Sequence, residues 1–356
     1  MRNKWLVIIG SSVVLGLLLS LMLEPRSTNK GPYLALDPGH RAAVEIPDAI
    51  GFEKIPLVKR ISGATTPVAT FYYTFNLLAG IDKKPLALSL AVPPAGIQNI
   101  LQELPISVRA KLAQKLICIY LTAGLGWPAT TTLAYRTLEA AQTMGAIVAL
   151  DLTSFQSTPR VWLTLDQWFD KRENALFAPR KGNEVEGTLS PDTQGSDAME
   201  YALLRELGQV FAIDTHVFPN DQDSPLLDGD EQKFPFLALS WQITKGKPVI
   251  RPEWEFKHRA ALDPASRVKL DSGRQREVYD QLEKTNFPTT VAALSPFDDF
   301  AESFASYVHV EIFHRPLELR VVQNGKIVKI LHSCWSQPRC LKKREFFKKL
   351  LTPDAS

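Results

Sequence analysis

The chain has 356 residues, of which 45% are hydrophobic and 22% charged, the balance of an ordinary folded protein. Lys plus Arg is 41 against 38 Asp plus Glu, a net charge of +3, which excludes the broad basic field of a nucleic-acid binder. Three cysteines exclude a disulfide-framework miniprotein and a multi-thiolate zinc module, while six histidines leave room for a metal site if some of them cluster.

Residues 1–4 are a short basic start, cytoplasmic in the expected topology, and 5–23 are an uncharged apolar run. At about 1.5 Å per residue that run reaches roughly the thickness of a bilayer core, so one N-terminal transmembrane helix is expected. A removable signal needs small residues at its cleavage site, whereas this run ends Ser20-Leu21-Met22-Leu23, so an uncleaved anchor is preferred. Arg2 and Lys4 precede the span, which puts the body outside the cytoplasm, in the periplasm if the cell is Gram-negative.

Residues 24–60, rich in turn formers, read as a tether. Within them Leu36-Asp37-Pro38-Gly39-His40 is similar to the opening strand of zinc-dependent cell-wall amidases. It lacks their Gly-rich continuation and their second His, and reads as an Asp-Pro-Gly turn. A domain is expected over 61–333. Pro105 opens an amphipathic helix, ISVRAKLAQKLI, and 130–136 and 146–152 read as strands. A second amphipathic helix is expected over 165–176 and a short strand over 183–189. The runs around Asn324-Gly325 read as a hairpin. Helices and strands mix without a βαβ rhythm, which favours an α+β fold.

Two later segments carry the chemistry. In the predicted helix 196–216, capped by Ser196, the centre reads Leu204-Arg205-Glu206-Leu207-Gly208-Gln209. The second helix, 295–308, contains Asp299-Phe300-Ala301-Glu302-Ser303-Phe304-Ala305. Together and in this order they resemble a gluzincin-type zinc metallopeptidase, with its H-E-x-x-H helix and its downstream Glu helix. The resemblance implies a zincin-like fold, a small mixed or antiparallel sheet carrying both helices. It places Glu206 at the general-base position, Glu302 at the third metal-ligand position, and Arg205 and Gln209 at the two histidine positions. The run 146–152 is then the candidate edge strand for an extended substrate.

The departure from the family is chemical. Zinc takes imidazole, thiolate or carboxylate, whereas a guanidinium has no lone pair to give and carries a repelling charge. Without the metal, water keeps a pKa near 15.7 rather than about 7, and a lone carboxylate base does not hydrolyse amides effectively. No cofactor is therefore expected, zinc included. The expected function is a membrane-anchored, externally facing pseudopeptidase that binds protein or peptide in the old cleft, with no nucleic-acid partner. An active hydrolase with a rearranged metal site, and a structural envelope protein with a coincidental likeness, are the alternatives. Arg205 is expected to replace the zinc by pairing with Glu302, with Glu206 competing and Gln209 able to donate to the same carboxylate.

Of the histidines, His309 stands two turns past Glu302, and His216, His314 and His332 show no metal spacing. Cys334 and Cys340 are disulfide candidates, and Cys118, in an apolar run, reads as a buried free thiol. The basic tail, 334–356, interleaves lysines with Phe346, Phe347, Leu350 and Leu351. It reads as a solvated helix with one packed stripe, or as a helix on an anionic membrane.

Overall fold

The computed structural model describes residues 44–45, 51–78, 82–90, 92–135, 143–155, 177–178, 184–188, 195–213, 215, 217–218, 226–259 and 270–352. The expected span 5–23, most of the tether, the helix at 165–176 and His216 lie outside the described residues.

The first sheet has five strands: β1 (Val44–Glu45), β2 (Ile61–Gly63), β3 (Leu116–Thr122), β4 (Ala129–Tyr135) and β5 (Thr143–Asp151). Their order is β1-β4-β5-β3-β2, with β4 antiparallel to β5 and the other pairs parallel. The run Ala146–Leu150 is apolar at every position and wholly buried, the pattern of a strand covered on both faces. It therefore lies in the middle of the sheet, between β4 and β3, and the expectation that 146–152 forms the edge is corrected. The far side of the neighbouring β4 faces β1. Among the described residues, β1 covers that side only at Ala134 and Tyr135.

Helices α1 (Thr66–Leu78), α2 (Ala95–Glu103) and α3 (Ile106–Lys115) belong to this half, and α3 passes directly into β3 at Leu116. Prolines 94 and 105 set the starts of α2 and α3, where a missing N–H costs nothing. Packing begins ahead of residue 61: Phe52 and Leu57 are buried, and the Arg60 guanidinium donates to the Ile55 and Ala113 carbonyls at 2.7 and 2.9 Å.

The long helix α4 (Gly195–Ala212) lies on β4 and β5, burying Leu203, Leu204, Leu207 and Val210 completely. It starts at Gly195, so Ser196 lies within it and not at its cap. Further on come α5 (Gln275–Leu282), α6 (Pro296–Tyr307) and α7 (Leu341–Leu351). Ser295 caps α6 by accepting from the Asp298 N–H at 3.1 Å, with Pro296 as the first helical residue. The strands β6 (Phe177–Ala178), β7 (Glu184–Thr188), β8 (Trp241–Thr244), β9 (Lys247–Ile250), β10 (Leu270–Asp271), β11 (Glu318–Gln323) and β12 (Lys326–His332) form three smaller sheets. The β11–β12 hairpin turns at Asn324 and Gly325, both at positive φ, as a tight two-residue turn requires.

The expected fold class, a zincin-like domain led by one transmembrane helix, is corrected. The described residues show mixed helix and strand in small sheets, and among them no helix is long and apolar enough to cross a membrane. The longest, α4, carries Asp197, Glu200, Arg205 and Glu206, charges a lipid core would not accept.

In the basic tail, α7 packs one stripe: Phe347 is buried among the aromatic residues of α6 and Leu351 is buried too, while Lys342, Lys348 and Lys349 face solvent. Cys334 and Cys340, just before it, form a disulfide. Cys118 is free and half-buried rather than enclosed, with its thiol 3.4 Å from the Ser62 hydroxyl.

Candidate functional site

The two helices singled out from sequence pack against each other. Gly208 makes the approach possible: a Cβ built there would stand 3.0 Å from the Phe304 Cβ, so α4 presents no side chain where α6 crosses it. Phe211 and Phe304 then close that crossing with ring centroids 5.4 Å apart.

The crossing brings Arg205 onto α6. Its Nε donates to Glu302 Oε1 at 3.0 Å, one Nη to Glu206 Oε1 at 2.7 Å and the other to Asp298 Oδ1 at 2.6 Å. One guanidinium thus joins three carboxylates from two helices. The remaining oxygens are also held. Glu302 Oε2 accepts from the Tyr201 and Thr289 hydroxyls at 3.1 Å each, and Glu206 Oε2 accepts from Thr131 of β4 at 2.7 Å. Asp298 Oδ2 accepts from Ser295 at 2.7 Å.

Burial governs the electrostatics. The side chains of Glu206 and Glu302 are 1% exposed, that of Arg205 is 12% and that of Asp298 is 21%, so the two glutamates are enclosed and the cluster reaches water through Arg205 and Asp298. Burial alone would lower the Arg205 guanidinium, but Glu206, Asp298 and Glu302 outweigh it and hold Arg205 above its ordinary value. Burial pushes the Glu302 carboxyl up, against the opposing pull of Arg205, Thr289 and Tyr201, and Asp298 adds to the rise. The Tyr201 hydroxyl, buried beside Glu302, is raised well above the usual phenol range.

Zinc does not fit these residues. A permanent cation stands at one expected ligand position and is hydrogen-bonded to the third, Glu302, so a dication there would meet repulsion and an occupied carboxylate. Gln209 is buried one turn beyond Arg205. Among the described residues, the donors to the Glu302 carboxylate are Arg205, Tyr201 and Thr289 rather than Gln209. Glu206, at the base position, has a donor on each oxygen and a side chain only 1% exposed.

His309 is fully buried, with Nδ1 2.9 Å from Glu200 Oε1 and Nε2 3.1 Å from the Pro316 carbonyl oxygen. Both ring nitrogens are committed, so it offers no lone pair to a metal. Arg315 bridges Glu200 to Glu103, tying α4 to α2. His332 is exposed beside Glu318. Among the described residues no group of three His, Cys, Asp or Glu side chains is arranged to hold a metal ion.

Sequence reasoning selected Arg205, Glu206 and Glu302, which the structure brings together. It missed Asp298, Tyr201, Thr131 and Thr289. Tyr201 was findable, four residues before Arg205 on the same helix face. Asp298 carries the Ser-x-x-Asp pattern of a capped helix start. Thr131 and Thr289 lie in other elements and carry no local signal. Comparison with protein-family models, curated proteins and solved structures gives no match to this chain.

Proposed function

We propose that this protein is a non-catalytic relative of the gluzincin metallopeptidases, a pseudopeptidase that acts by binding an extended segment of another protein. The observation that carries the reading is the guanidinium of Arg205, which sits at a histidine-ligand position and is hydrogen-bonded to the base-position and ligand-position carboxylates together. A site so filled has neither a Lewis acid nor a free base, the two things amide hydrolysis needs at neutral pH. The charge pair keeps the two helices together in the role the metal plays in the family.

Binding is assigned to the open side of β4. Its partner strand covers only Ala134 and Tyr135 among the described residues, which leaves the stretch from Ala129 to Leu133 for main-chain pairing with an extended peptide. Thr131 in that stretch bonds to Glu206, so the binding edge and the charged cluster are in direct contact. The Cys334–Cys340 disulfide supports residence in an oxidising space outside the cytoplasm.

The test is metal analysis and peptide hydrolysis on the purified full chain, compared with the Arg205→His, Gln209→His double variant. The wild-type chain is expected to carry no stoichiometric zinc and to cleave no peptide, while the double variant gains zinc affinity. In parallel, amide exchange of residues 129–133 is expected to slow when an extended peptide selected for binding is added. Stoichiometric zinc, or zinc-dependent cleavage by the wild type, would overturn the reading.

A further inference from the structure

Away from the Arg205 cluster, α6 and α7 share a second buried pair. Asp299, next to Asp298 in α6 but turned about 100° away from it around the helix, is fully buried, and Lys343 of α7 is 1% exposed. The Lys343 Nζ is in direct contact with Asp299 Oδ1. Trp241 Nε1 donates to Asp299 Oδ2 at 3.0 Å and the Ser303 hydroxyl to Oδ1 at 3.2 Å. The walls are aromatic: Lys343 Nζ stands 4.8 Å from the Phe287 ring centroid and 5.4 Å from that of Phe236.

We propose that Lys343 and Asp299 are a modification site, at which the chain joins itself by an amide bond between Lys343 Nζ and Asp299 Cγ. A primary amine held in contact with a carboxyl oxygen, both groups buried, is already beside the carboxyl carbon it would attack, the proximity that makes condensation effectively unimolecular. Burial also favours the neutral partners. It raises the Asp299 carboxyl and lowers the Lys343 ammonium, each against the pull of the other. A proton passing from ammonium to carboxylate gives the free amine and the carboxylic acid.

The Nζ lone pair then attacks Cγ, and the C=O electrons move onto oxygen. The Trp241 N–H lies on Oδ2, where that negative charge develops, and is placed to stabilise it. The C–Oδ1 bond breaks as the carbonyl re-forms. The leaving oxygen departs as water, taking the acid proton and one amine proton, and the amide nitrogen keeps one hydrogen. No oxidant, reductant or further reactant is consumed. The product would fasten the C-terminal helix to α6 covalently, beside the disulfide that closes the preceding turn.

The test is peptide mapping of the purified, reduced and unfolded full chain by mass spectrometry. The expected result is a branched species, in which the peptide containing Asp299 is joined to the one containing Lys343 and is lighter than their sum by one water. The backbone bond after Lys343 should also resist trypsin. Fragmentation places the join, which separates it from simple dehydration of an aspartate. In Lys343→Met the Asp299 peptide should be recovered unbranched at its full mass. Recovery of separate, unmodified Lys343 and Asp299 peptides from the wild-type chain as the main species would overturn the proposal. That readout does not depend on any variant folding.

Discussion

The Arg205 Nε and the Glu302 Oε1 meet at 3.0 Å although the residues are 97 apart in the chain. Glu302 is buried and Arg205 largely so, and each would be costly alone. Together with Glu206 and Asp298 they form the polar centre of an otherwise apolar helix crossing.

Arg205→Ala is expected to lower the unfolding free energy by about 3–5 kcal/mol, because it strands carboxylates in a dry site. Chemical denaturation measures this directly. The loss should also depend on pH. With the guanidinium gone, Glu302 avoids the cost of a buried charge only by staying protonated, and burial already raises its carboxyl in the intact protein. The native variant then binds more protons than its unfolded chain, so its stability is greatest below about pH 4.3 and falls as pH rises toward the native value. The deficit relative to wild type is therefore larger at pH 8 than at pH 5. A pH-independent deficit would place the effect in packing instead.

Gly208→Ala tests the helix approach. In an open helix the change would stabilise by about 1 kcal/mol through helix propensity. Here the new Cβ meets Phe304 Cβ at 3.0 Å and its ring carbons Cδ1 and Cγ at 3.1 and 3.2 Å, and overpacking costs about 1–3 kcal/mol. Net destabilisation is expected in a denaturation midpoint, and Gly208→Leu should be far worse. A stabilised Gly208→Ala variant would contradict the close crossing of α4 and α6.

Removal of the disulfide by Cys334→Ala with Cys340→Ala should cost about 2 kcal/mol, the entropy of a short closed loop. The wild type should lose a similar amount on reduction, and the variant should be indifferent to reductant. Both sulfurs are buried against Trp335 and the α7 packing, so the reduced protein should first lose order around α7. Amide exchange in 341–351 reads that out.

The sequence by itself determined the local elements whose signals are local. Pro105, Ser295-Pro296 and Asn324-Gly325 set the starts of α3 and α6 and the β11–β12 turn, because capping and turn chemistry involve only neighbouring residues. It also fixed the chemistry of the two helices: a guanidinium and an amide at the expected ligand positions exclude a histidine pair whatever the fold. It misjudged the place of 146–152, since an apolar run names burial but not which strands lie on either side. Only the tertiary structure decided that, among the described residues, β1 pairs with β4 only at Ala134 and Tyr135, and that Thr131 and Thr289 complete the charged cluster. The same holds for Lys343, which reads as one more basic residue of a solvated tail and lies buried against Asp299. Its fate depends on how α7 docks on α6, a contact between residues 44 apart that no local pattern encodes.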